Sequence, residues 1–146
     1  IEARRVEEDP LNFSQKALNE LSVYSRAVND VLDRTLIAYR NEDIELARLI
    51  EPLEEVVDRL NSAVRLRHIS RVKDGECSAE AGVMLTDLSN AMERVSDHCS
   101  NIANTMIEVH TGSFDSHGYL TDVKEKDGSY KDKVKELMKE YKLPKE

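Results

Sequence analysis

Between Ala81 and Val109 the apolar residues hold an unbroken alternation of four- and three-residue steps: Ala81, Leu85, Leu88, Met92, Val95, Cys99, Ile102, Met106 and Val109. A period of that kind calls for a long amphipathic helix with one side packed against other helices. Five Gly, three Pro and 5% aromatic residues leave little turn chemistry for a sandwich or a barrel. The expected fold class is therefore all-α.

Two further helices precede this one. From about residue 11 to 40, Ala17, Leu21, Tyr24, Val28, Val31 and Ala38 recur at helical spacing, and Leu18, Leu32 and Leu36 widen the stripe. Pro10 is placed to open that helix, and Asn41-Glu42-Asp43 offers a cap and first-turn acids for the next. The second helix carries Leu46, Ile50, Leu53, Val57, Leu60 and Val64 and runs to about 74. Pro52 predicts a bend near 48–52, because an interior proline costs about 3 kcal/mol. Gly75 followed by Ser78 then supplies a helix stop and a new N-cap, the mark of a tight antiparallel hairpin. The expected architecture is a long antiparallel three-helix bundle over 1–112, a loop over 113–129, and a short amphipathic helix over 130–143 packed on the bundle or on a partner.

A chain of 146 residues suggests one domain. Its 29 acids against 21 bases give a net charge of −8, which repels nucleic acid and anionic lipid and attracts cations. No nucleic-acid partner is expected. Residues 115–146 hold eight Lys and eight Asp or Glu, so the excess negative charge resides in the bundle. Cys77 and Cys99, 22 residues apart, would stand about 33 Å from each other on one helix, too far to bridge. A reducing compartment follows, and Cys99 on the apolar seam reads as a small buried hydrophobe. No apolar run approaches the ~20 residues of a membrane span. Because the chain begins at Ile1, we expect it to be a piece of a longer protein, with any membrane segment upstream.

Two segments carry an acid followed four residues later by Asp: Glu54 with Asp58, and Glu93 with Asp97. Residues four apart share a helix face, so each pair presents two hard oxygen ligands. Two such pairs are about what chance gives with 29 acids in 146 positions, so their register matters more than their number. A hairpin folded between residues 75 and 76 sets Glu54 level with Asp97 and Asp58 level with Glu93. Four unneutralised carboxylates at one height must be separated by solvent or bridged by a cation. The apolar seam turns Glu93 and Asp97 outward, into a stripe with Asn90, Asn101 and Asn104, so a solvated face is the competing reading. Any site would be open rather than closed, with Glu51, His98 and Asn101 as outer members.

Catalytic classes find no support. There is no Glu-x-x-His pair for a ferritin-like di-metal site, no paired cysteines for zinc, and no glycine-rich phosphate loop. The basic run Arg59, Arg65, Arg67, His68, Arg71 and Lys73 reads either as dipole complementation on a solvated face or as a contact for phosphate, headgroups or an acidic partner.

The segments EPLEEVVDRL (51–60), RHISRVKDGECSAEAG (67–82) and MERVSDHCSNIANTM (92–106) resemble the PhoU-like domain, in the form attached to the C-terminal end of bacterial sodium/phosphate cotransporters. The resemblance covers about residues 11–112, and the ending Tyr141-Lys142-Leu143-Pro144 is similar to that transporter tail. It implies a non-catalytic regulatory module at the cytoplasmic face of the membrane, whose partners are the membrane transporter domain of the same chain and, in a homodimer, a second copy. It also implies Fe, Mn or Zn ions on acidic ExxxD motifs, which map onto Glu54 with Asp58 and Glu93 with Asp97, and no organic cofactor. Stand-alone members of the family repeat the three-helix unit, whereas one unit is present here. The alternative is a structural helical-bundle module without a metal site.

Overall fold

The structure, a computed structural model, describes residues 13–112 and 128–145. Its elements are α1 (Gln15–Asn41), α2 (Ile44–Ala47), α3 (Ile50–Lys73), α4 (Ala79–Thr111) and α5 (Gly128–Glu140). Among the described residues there is no strand. The expected loop falls largely on 113–127, outside the described residues, and its last two positions already belong to α5.

Local chemistry sets the boundaries. Ser14 and Ser78 cap α1 and α4, each side chain accepting the N–H three residues on, at 3.2 and 3.1 Å. At the α3–α4 turn the Glu76 N–H reaches the Arg71 carbonyl at 2.8 Å and the Gly75 N–H reaches Val72 at 3.2 Å, closing a Schellman motif around the positive φ of Gly75. The bend anticipated at Pro52 lies just before it. After α2, capped by Asp43 through the Leu46 N–H at 2.9 Å, the chain breaks at Arg48 and Leu49, and Pro52 occupies the first turn of α3. A first-turn position needs no N–H partner, so the proline starts a helix instead of kinking one.

Helices α1, α3 and α4 form the bundle, with α3 antiparallel to the other two. Tyr24, Val31, Ile50, Leu53, Leu60 and Leu85 fill its centre. Helix α5 packs along α3, and its C-terminal end reaches α1, where Arg26 donates to the Glu140 carbonyl at 3.0 Å. Tyr130, Val134 and Leu137 are buried there, and the Tyr141 hydroxyl donates to Asp30 while its ring sits 5.3 Å from the Arg26 guanidinium.

The apolar seam expected on α4 is only partly the buried one. Ala81, Leu85 and Cys99 are buried, but Leu88, Val95, Ile102 and Val109 are exposed, and the interior is completed by Ser89, Ser96, Ser100, Ala103, Asn104 and Ile107. Small residues let α4 approach its neighbours closely, and this contact, more than apolar volume, fixes its rotation. On α1 likewise, Leu18, Leu32 and Leu36 stay exposed, while Glu20 and Thr35 are buried.

Candidate metal centre

The rotation of α4 decides where its acids go. Glu93 and Asp97 stand on the side of α3, at the margin of the buried face: Glu93 is half-buried and Asp97 exposed, so the groove opens to solvent. Glu54, 9% exposed, and Asp58 line the facing side of α3. One carboxylate oxygen from each of Glu54, Asp58 and Asp97 lies within 4.8 Å of the others. Glu93 sits one turn from Asp97, held by the Asn61 amide, which donates to its Oε2 at 2.9 Å.

The groove is electrostatically loaded. Burial, followed by the charges of Glu93 and Asp97, pushes the Asp58 carboxyl above its ordinary value, partly offset by a hydrogen bond with Glu54. Its Oδ1 and the Oδ1 of Asn61 are both buried without a hydrogen-bond partner. The field extends into the core. Tyr24, fully buried with its hydroxyl donating to the Ser89 carbonyl at 3.3 Å, is raised by burial and then by Glu93 and Asp58.

Of the outer members anticipated, Glu51 stands one turn before Glu54 and accepts from the Ser100 hydroxyl, which in turn accepts from the Asn104 amide at 3.4 Å. His98 and Asn101 border a different space, an open cavity of about 1310 Å³ facing Tyr39 and Ile44. Asn61 escaped the sequence reading, although its position three residues after Asp58 on the same face was available as a signal.

Convergent carboxylates with two orphaned buried oxygens suit a hard or borderline cation, which would offset the like charge that disfavours ionised Asp58. Glu54, Asp58 and Asp97 would supply ligands, Glu93 would add charge, and Asn61 would orient Glu93. The ion would supply positive charge that locks α3 to α4.

The basic run has a different fate. Arg71 binds Glu20 of α1 at 2.7 and 3.2 Å, and Arg67 reaches the same carboxylate at 3.0 Å and the Pro144 carbonyl at 2.7 Å. Glu20 is only 3% exposed. Burial alone would raise its pKa, but the two arginines outweigh it and hold the carboxyl below its ordinary value. His68 is buried against Gly82, and neither ring nitrogen has a hydrogen-bond partner. Burial, then Arg71, pushes its pKa down. Arg67, His68 and Arg71 serve the interior, whereas Arg59, paired with Glu55 at 2.9 Å, and Lys73 stay on the exposed face.

An acidic three-helix bundle with a carboxylate groove between its second and third long helices is the class these observations define. The PhoU domain family matches residues 21–106, and the chain belongs to that family. It is 27% identical over 105 residues to the phosphate-specific transport system accessory protein PhoU homolog 1 of Thermotoga maritima, a match covering 72% of this chain and 44% of that protein. The chain thus spans less than half the length of this curated relative. No solved structure matches it significantly. Helix α5 lies outside the family match.

Proposed function

We propose that this chain is a non-catalytic regulatory module of phosphate uptake that binds metal ions through its α3–α4 groove. Family membership and the accessory-protein relative support the regulatory role. The cation is carried by one observation: one carboxylate oxygen from each of Glu54, Asp58 and Asp97 lies within 4.8 Å of the others. No helix among the described residues is long and apolar enough to cross a membrane. We further propose that the module hangs from a sodium-dependent phosphate transporter at the cytoplasmic face, in line with the resemblance of residues 92–106 and 141–144.

Two experiments test this. Titration with Mn²⁺, Zn²⁺ or Fe³⁺ followed by calorimetry and thermal unfolding is expected to raise Tm, by about 2.7 kcal/mol of linkage at a hundredfold excess over Kd. Asp58→Asn with Asp97→Asn is expected to abolish the response. Heat-flat titrations with unchanged Tm would leave the structural-module alternative. For the transporter context, phosphate uptake by the intact parent protein is compared with and without residues 15–140. Unchanged uptake and regulation, or a parent lacking apolar spans of ~20 residues, would remove that assignment.

A further inference from the structure

His68 and Gly82 face each other near the hairpin end of α3 and α4, and each is a costly choice for its position. Gly82 stands near the start of α4, where glycine weakens a helix relative to alanine. Neither backbone nor space demands it. Its φ is not among the positive ones, and a Cβ added there would meet the His68 Nε2 at 3.4 Å and the Val72 Cγ2 at 4.0 Å, ordinary contact distances. Alanine would fit. His68 is 3% exposed, yet both of its ring nitrogens are buried without a hydrogen-bond partner. An unpaired buried polar group lowers stability, so its retention calls for a reason. The two costs meet at one point, because the space that a methyl on Gly82 would fill is the space over Nε2.

That space belongs to a cavity of about 440 Å³ between α3 and α4, a volume typical of small-molecule sites. Ile69, Val72 and Val83 give it apolar walls. Arg65 stands one turn before His68, and Lys73 lies about 12 Å further along α3 than Arg65. Asp87 is the acid among the lining residues. Two bases and one acid thus surround an apolar slot. A divalent cation would face Arg65 and Lys73, and a polyphosphate would face Asp87 with too few bases, so a single negative charge fits best. Half-buried Arg65 offers the planar fork that matches a carboxylate. Burial, then Arg71, keeps the His68 imidazole neutral, which leaves it one N–H to donate and one lone pair to accept.

We propose that this recess binds a small organic monoanion: a carboxylate held by Arg65, an apolar body seated on Ile69, Val72 and Val83, and a hydroxyl or N–H that pairs with His68. The bound molecule would touch both helices of the hairpin. None of these residues belongs to the Glu54, Asp58 and Asp97 cluster, so the proposal is independent of the cation reading.

The test follows the His68 ring nitrogens by NMR in the 146-residue chain, with EDTA present so that metal plays no part in the outcome. The probe is 4-hydroxyphenylacetate, compared with phenylacetate, which lacks the hydroxyl, and 2-(4-hydroxyphenyl)ethanol, which lacks the carboxylate. At about 1 mM the first is expected to shift the His68 signals, and each of the others to bind about tenfold more weakly. Gly82→Ala should keep the helical circular dichroism and the Tm while removing the preference for the hydroxyl, since its methyl covers Nε2. Arg65→Gln should instead remove the preference for the carboxylate. Three results overturn the proposal: no His68 shift with any probe, equal binding of all three by the wild type, or a hydroxyl preference that survives Gly82→Ala. A recess that holds only water gives the first of them.

Discussion

Glu20 and Asp58 are both acids drawn into the bundle, and their surroundings differ in kind. Glu20 meets two arginines in a bidentate-plus-one arrangement and stays ionised. Asp58 meets other carboxylates, and its ionised form is disfavoured. An acid whose neutralising charge is built into the chain is part of the scaffold. One that faces other carboxylates across a groove leaves room for a cationic ligand.

The sharpest way to break this contrast is Arg71→Leu. It leaves Glu20 buried with only Arg67, and a loss of about 3 kcal/mol, or roughly 6–12 °C in Tm, is expected by urea and thermal unfolding. A loss below ~0.5 kcal/mol would show that the network is not structural. Next in size is the pH dependence of the metal-free protein. Glu20 titrates lower in the fold than unfolded, so its stabilisation is present above the ordinary carboxylate range and disappears as pH falls through the depressed value. Asp58 titrates higher in the fold, so its protonation adds stability as pH falls from neutrality toward the ordinary range. Urea midpoints should therefore rise on mild acidification and fall on further acidification, and Asp58→Asn should flatten the rise.

At fixed neutral pH, Asp58→Asn is expected to raise the Tm of the metal-free protein by roughly 2–4 °C while removing the cation response, a pairing that a purely structural acid would not show. The smallest effect concerns the link from groove to core. Tyr24→Phe deletes the hydrogen bond to Ser89 and should cost about 1 kcal/mol by urea unfolding, with cation affinity unchanged.

Much of the bundle was legible in the sequence because caps and stops act locally. Gly75 and Ser78 sit where propensity alone puts them, and hairpin register follows from the position of Gly75; the cap of α1 at Ser14 was not anticipated, and Pro10, expected to open that helix, lies outside the described residues. The levels of Glu54, Asp58, Glu93 and Asp97 were legible for the same reason. Their direction was not. A wheel drawn from apolar residues turned Glu93 and Asp97 away from α3; Asp97 is indeed exposed, but because Ser89, Ser96 and Ser100, polar by composition, are buried, both acids stand beside α3. The partner of Arg71 was equally hidden, since Glu20 lies 51 residues away and an ion pair between distant helices leaves no local period.

The sequence by itself determined the helices, their ends, their antiparallel order and the height at which the acids stand, because each depends on neighbours within a few residues. Only the tertiary structure decided how α4 is rotated, and with it which acids converge and which apolar stripe is left uncovered. Rotation is set by how closely three helices can pack at once, and small side chains permit that approach whatever their polarity.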